Sequence, residues 1–125
     1  MNPVRVTQLL TLMLILALAA CGQEQGPAQT VEGFLSALEA GDISKAQEYL
    51  SADVIGEDSA WVAMSLREAS SNLSSGDFSA RVISEEIDGD MAVVTVEARS
   101  RDGEVQQDAI PVILEDEKWK LLMGW

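Results

Sequence analysis

The hydrophobic pattern of the chain changes its period at Phe78. Before this residue, apolar side chains recur at spacings of three and four, which is typical of helices; after it they alternate, which is typical of strands. Helices followed by hairpin-linked strands predict an α+β domain in which the helices pack on one face of an antiparallel sheet. A chain of 125 residues has the length of one such domain.

Three helices are predicted before the change of period. Gly41 is expected to end the first helix and Asp42 to cap the second, which ends near Ser51. A loop around Gly56 leads to the third helix, which the serine-rich segment 70–76 is expected to end. The predicted apolar stripes consist of Val31, Phe34, Leu35 and Leu38; of Ile43, Ala46 and Leu50; and of Val62, Leu66, Ala69 and Leu73.

Three turns join the four predicted strands. An Asp-Gly pair at 88–89 between two β-prone runs is a strong hairpin signal, and the polar segments 101–104 and 115–117 supply the other two turns. The run 93–96 is apolar or β-branched on both faces, as expected of a central strand. Pro111 implies a bulge or an edge position, because proline cannot donate a hydrogen bond to a neighbouring strand.

The N-terminal segment has the organisation of a secretory signal. Arg5 precedes the apolar run 9–20, which is shorter than the roughly 20 residues that a membrane-spanning helix needs. The sequence Leu-Ala-Ala-Cys-Gly at 18–22 resembles the bacterial lipobox. That resemblance implies that Cys21 becomes the mature N-terminus and carries two or three acyl chains such as palmitate. The alternative is an ordinary signal peptide with a buried cysteine at its end.

Lipidation predicts where the protein resides. Two or more acyl chains anchor a protein stably, and Gly22 after the cysteine points to the periplasmic face of the outer membrane in a Gram-negative cell. The predicted organisation is a signal peptide at 1–20, a lipidated tether at 21–27 and one domain at 28–125. The partner implied is therefore a membrane, reached through Cys21.

Composition excludes several classes of function. Twenty-one acidic residues against eight basic ones argue against nucleic-acid binding. The absence of histidine removes Ser-His-Asp and Cys-His catalysis and imidazole metal sites, and a single cysteine removes internal disulfides and cysteine zinc sites. The acidic clusters at 85–90, 102–104 and 115–117 lie at turns and lack a full calcium-loop ligand set, so a solvated surface is favoured over calcium sites. No metal or cofactor is predicted.

Four segments together resemble a known family. They read FLSALEAGD at 34–42, YL at 49–50, DGDMAVVTV at 88–96 and KWKL at 118–121. In this order and spacing they are similar to small bacterial lipoproteins of unknown function in the nuclear-transport-factor-2-like superfamily, over residues 27–125. The resemblance implies a cone, in which a strongly curved antiparallel sheet wraps against helices and leaves a pocket at its open end. The superfamily contains isomerases and dehydratases as well as binding domains, and no catalytic motif of those enzymes matches this chain.

Several side chains are candidates for a site. Glu97 is a candidate lone carboxylate with Arg99 on the same strand face, and the alternative is a cross-strand charge pair on the solvent face; Asp108 is a similar candidate. Tyr49 is expected to pack in the helical layer. A further set of large side chains either lines an apolar pocket or fills the core, with the core favoured: Trp61, Met64, Trp119, Met123 and Trp125. Trp125 alternatively caps a pocket mouth or a partner groove.

These observations lead to one expectation and two alternatives. We expect a non-catalytic envelope lipoprotein that binds an apolar small molecule or another envelope component. The first alternative is a pocket enzyme that uses a carboxylate such as Glu97. The second is an assembly lipoprotein in which the sheet and Trp125 face a partner. The sequence does not indicate an oligomeric state.

Overall fold

The computed structural model describes residues 25–122, with the exception of the side chain of Glu57. The predicted signal peptide and the predicted site residues Cys21 and Trp125 lie outside this range, as does Met123. The helices are α1 (Pro27–Glu39), α2 (Ile43–Glu48), α3 (Ala52–Glu57) and α4 (Ser59–Ser74). The strands are β1 (Phe78–Asp88), β2 (Met91–Ser100), β3 (Val105–Glu115) and β4 (Lys118–Leu121). They form one antiparallel sheet in the order β1-β2-β3-β4, so the predicted α+β arrangement is confirmed.

The sheet has one covered face. On β2 the side chains of Ala92, Val94 and Val96 are buried against the helices, whereas Val93 between them is 42% exposed. We call the covered side the inner face and the other side the outer face. The predicted central position of the run 93–96 is confirmed, because β2 lies between β1 and β3.

The junction between α1 and α2 follows the sequence signals. Gly41 has a φ of +77°, which favours glycine, and its N–H donates to the carbonyl of Leu38 at 3.0 Å. Asp42 then accepts a hydrogen bond from the N–H of Lys45 at 3.1 Å. The predicted stop and the predicted cap are both confirmed.

Helix α3 stands where the sequence predicts a loop around Gly56. Its first turn is held from two sides: Ser51 caps it by accepting from the N–H of Asp53 at 3.3 Å, and the carboxylate of Glu115 accepts from the N–H of Ala52 at 3.1 Å. Ser51 also donates its hydroxyl hydrogen bond to Glu115. The described chain thus has four helices rather than three, because a residue distant in sequence supplies partners for the first turn.

Helix α4 ends inside the serine-rich segment 70–76, as the sequence predicts, but its first serine there lies within the helix. Ser70 is buried, and its hydroxyl donates to the carbonyl of Leu38 in α1 at 2.6 Å. A serine with such a partner fits inside a helix–helix contact, so it does not terminate the helix. The helix ends at Ser74, before Gly76 with its φ of +81°.

A bulge in β1 changes which of its side chains face the helices. The register with β2 shifts between Val82 and Ser84, so Ile83 is the extra residue. Beyond the bulge Glu85 pairs with the inner-face residue Val94, and its carboxylate accepts from the N–H of Ala28 at 2.9 Å. A negative charge from the sheet therefore lies at the first turn of α1, where a helix favours anions.

Pro111 occupies the edge position that the sequence allows. Its carbonyl accepts from the N–H of Leu122 at 2.9 Å, and β4 ends one residue earlier at Leu121. In a strand, the N–H and the carbonyl of one residue point toward the same neighbouring strand. The nitrogen of Pro111 therefore faces the end of β4, where no further strand residue needs its hydrogen bond. The register with β2 continues through the Val93–Pro111 pair, which shows that the edge, and not a bulge, accommodates the proline.

Candidate functional site

An apolar pocket of about 430 Å³ lies between the helices and the inner face of the sheet. Its helical wall consists of Leu35 and Leu38 from α1 and Ala69 and Leu73 from α4. The opposite wall comes from the first half of β1, the second half of β2, the middle of β3 and Leu122. Pockets that hold small molecules span roughly 300–1,000 Å³, so the space suits a small ligand.

Short side chains leave this space open. Ala69 on α4 and the inner-face residues Ala80 on β1 and Ala98 on β2 line the pocket. Ala80 and Ala98 are register partners, so two methyl groups stand side by side in the wall. Longer aliphatic side chains at these positions would fill the volume, as they do elsewhere in a close-packed interior.

Asp108 is the carboxylate that lines this pocket. It is the register partner of the buried residue Val96 and is in phase with the buried residues Ile110 and Val112, which places it on the inner face. The side chain of Gln106 donates to its Oδ1 at 3.3 Å. Asp108 itself is exposed to solvent.

Glu97 lies on the outer face, on the other side of the sheet from the pocket. Its side chain is 15% exposed because two arginines cover it, with Arg81 at 3.4 Å and Arg99 at 3.7 Å. Arg81 is its direct register partner on β1. The cross-strand charge pair is therefore the arrangement that the structure contains.

The large side chains separate into different environments. Trp61 and Met64 are 51% and 61% exposed, so the interpretation of these two as core residues was wrong. The buried side of α4 carries Val62, Leu66 and Ser70, and Trp61 and Met64 lie away from that stripe. Trp119 is half-buried against the edge of the core. Trp125 lies beyond the described residues, but Leu122, the last of these, is part of the pocket wall.

A second groove of about 620 Å³ lies beside the N-terminal end of α1. Thr30, the half-buried Tyr49 and Trp119 line it together with charged and amide side chains. Lys120 is one of these, and its ammonium group donates to the carbonyl of Glu48. The groove is thus more polar than the pocket at the other end of α1.

The two carboxylates with shifted pKa values serve turns and helix ends. The Ser51 hydroxyl, followed by the N–H of Ala52, lowers the pKa of Glu115. The Ser100 hydroxyl, followed by the N–H of Glu104, lowers the pKa of Asp102. Neither carboxylate lines the apolar pocket.

Two further features bear on function. Between residues 25 and 122, no three acidic or cysteine side chains are grouped closely enough to hold a metal ion. Over the same residues, no helix is both long and apolar enough to cross a membrane. The buried polar side chains of this part of the chain are Thr30, Ser51 and Ser70, all of them hydroxyl-bearing.

The special position of Asp108 was not recognised from the sequence, which treats it as similar to Glu97. The signal was present, because counting back by twos from Ile110 and Val112 places Asp108 on the buried side of β3. The bulge and the register that bring β1, β2 and β3 together around it depend on tertiary structure.

Comparison with known proteins identifies the family. The family described as "Domain of unknown function (DUF4878)" matches residues 19–122, so the chain belongs to it. A crystal structure from Campylobacter jejuni, of a protein provisionally named an NTF2-like transpeptidase, superimposes with a TM-score of 0.62 at 17% sequence identity. The match covers 80% of this chain and 100% of that one, and it shows that the domain has the NTF2-like cone fold. No curated protein matches the chain.

Proposed function

We propose that this member of the DUF4878 family is a lipid-anchored envelope protein whose NTF2-like domain binds an apolar small molecule without converting it. The observation that carries the proposal is the pocket of about 430 Å³, which is walled by aliphatic side chains and held open by three alanines. Apolar surface that remains uncovered in a small domain commonly marks a binding site.

Anchoring through Cys21 is the second part of the proposal. The lipobox-like segment 18–22 supports it, and the described domain begins only a few residues later. A flexible tether over residues 22–26 spans about 12 Å, which would hold the domain close to the bilayer. Removal of Arg5 with the signal leaves seven basic against 21 acidic residues, so attachment would depend on acyl chains rather than on attraction to anionic lipid.

Metabolic labelling tests the anchor. The full chain and a Cys21→Ala variant are produced in a Gram-negative host that is fed an alkyne analogue of palmitate. We expect the wild type to carry the label and to fractionate with the outer membrane, and the variant to lose both properties. An unlabelled wild type, or a variant that keeps the label, would contradict lipidation at Cys21.

Ligand binding is tested on residues 22–125, which contain every described helix and strand and the whole core. N-phenylnaphthylamine, a neutral fluorophore that brightens in apolar surroundings, reports occupation of the pocket. Ala98→Leu is expected to abolish the signal by filling the pocket, whereas Ala40→Leu, at an exposed position after α1, should preserve it. Unchanged binding by Ala98→Leu would contradict the proposed site.

The outer face supports a second candidate function, self-assembly of the domain. Met91 and Val93 are exposed there beside Ile113, and one row across the sheet reads Asp88, Met91, Ile113, Lys120. Two copies packed face to face would bury these apolar side chains against each other. Such a dimer suits a structural role in the envelope.

Sedimentation velocity distinguishes this second function. A dimer of residues 22–125 that Val93→Glu dissociates would support it, because a carboxylate next to Met91 and Ile113 would be buried without a partner. A monomer at high protein concentration would exclude it.

A further inference from the structure

The polarity of the pocket wall indicates what kind of apolar molecule it accepts. Asp108 is the polar inner-face side chain in an otherwise apolar lining, and no arginine or lysine contributes to it. An apolar cavity with one negatively charged group suits an amphiphile, because the apolar tail can contact the wall and the polar head can contact the carboxylate. This inference rests on the proposed function, since it specifies the ligand of the same pocket.

The surroundings of Asp108 leave its charge uncompensated. Its neighbours on the same strand face are the uncharged residues Gln106 and Ile110, and the cross-strand partner is Val96. Within residues 25–122, the ion pairs involve Glu97 and Asp77 and do not include Asp108. One neutral hydrogen bond, from Gln106 to Oδ1, is its contact with another side chain.

We infer that Asp108 anchors the head of a cationic amphiphile, a molecule with one apolar tail and an amine or quaternary ammonium head. The tail would lie along Leu35, Leu73 and Val96, and the head would pair with the carboxylate at the exposed end of the wall. An amphiphile with a carboxylate or sulfate head would meet the like charge of Asp108 and find no basic side chain in the lining. The site therefore discriminates between heads of opposite charge on the same tail.

Competition between matched detergents tests the inference. Dodecyltrimethylammonium and dodecyl sulfate share one tail, and each is titrated below its micellar concentration against N-phenylnaphthylamine bound to residues 22–125. We expect the cation to displace the fluorophore at lower concentration, and Asp108→Asn to reduce this preference up to about fivefold, the upper range of an exposed ion pair. Far-ultraviolet circular dichroism in the same solutions establishes that the fold persists.

A matched variant separates the local charge of Asp108 from the net charge of the domain. Asp90→Asn makes the same chemical change at an exposed turn residue that does not line the pocket. The inference would be overturned if Asp108→Asn left the preference for the cationic detergent intact, or if Asp90→Asn lowered it equally. Either result would leave the pocket as a binding site. Failure of the wild type to bind the neutral fluorophore would instead overturn the proposed function and this inference with it.

Discussion

A Cβ atom placed on Gly33 would lie 2.6 Å from the phenolic oxygen of Tyr49 and 2.8 Å from its Cζ. Gly33 lies inside α1, where alanine would ordinarily be the better helix former. The ring of Tyr49 has taken the space of the missing side chain. The predicted packing role of Tyr49 is therefore confirmed: its ring lies against α1 at Gly33, where only a glycine leaves room for it.

This close approach predicts opposite effects for one substitution at two glycines. Gly33→Ala should lower the free energy of unfolding by about 1–3 kcal/mol, because the ring must move. Gly56→Ala, in α3 with no heavy atom near the added Cβ, should raise it by about 0.5–1 kcal/mol. Urea denaturation of both variants measures the difference. Stabilisation by Gly33→Ala would show that the ring is not held in this position.

The contact between Glu85 and the start of α1 predicts a difference between two adjacent glutamates. Glu85→Gln removes the negative charge that accepts from the N–H of Ala28, and it should destabilise the domain by about 0.5–1 kcal/mol. Glu86→Gln makes the same change one residue along, opposite the outer-face residue Val93, and should have little effect. Equal losses in thermal unfolding would mean that the bulge does not direct Glu85 to the helix.

The hydrogen bonds of Glu115 predict a pH dependence of stability. The Ser51 hydroxyl and the N–H of Ala52 lower the pKa of Glu115 in the folded state. Their contribution is complete above the ordinary glutamate pKa of about 4.3 and is lost as the pH falls through the lower folded-state value. Glu115→Gln should therefore be destabilised by about 1 kcal/mol at pH 7 and approach the wild type in acid.

Chemical denaturation between pH 7 and pH 2.5 measures this convergence. Glu117→Gln, in the turn that follows β3, is the matched control because its carboxylate lies outside the contacts of α3. A gap between wild type and Glu115→Gln that stays constant with pH would refute the prediction.

The buried hydroxyl of Ser70 predicts a loss of stability where the sequence suggests a helix end. Ser70→Ala should destabilise the domain by about 0.5–1.5 kcal/mol, since the Leu38 carbonyl loses one donor but keeps the N–H of Gly41. Ser71→Ala, at the exposed neighbouring position, should be neutral or slightly stabilising. The midpoints of urea denaturation measure both effects. A lower midpoint for Ser71→Ala than for Ser70→Ala would contradict the prediction.

Local signals were sufficient for much of the fold. The period change at Phe78, the Gly41-Asp42 junction and the Asp-Gly turn at 88–89 each act within a few residues, and the structure confirms all three. The features that were missed depend on distant partners. Helix α3 draws on Glu115, and Ser70 is satisfied inside α4 by Leu38.

The site was harder to predict for the same reason. Glu97 and Asp108 have the same sequence appearance, a carboxylate within a strand, yet they lie on opposite faces. They can be distinguished only by counting, along each strand, whether the residue lies an even or an odd number of positions from a buried residue. The pocket itself arises from alanines on two strands and one helix that come together through the register and the bulge.

The order of the strands has a consequence for how the chain folds. Each strand pairs with its neighbour in sequence through a short turn, so the sheet can grow hairpin by hairpin from contacts that are local. Helix α1 differs, because its first turn meets Glu85 across 57 residues and it also packs against β4 near the other end of the chain. We expect docking of α1 to follow formation of the sheet.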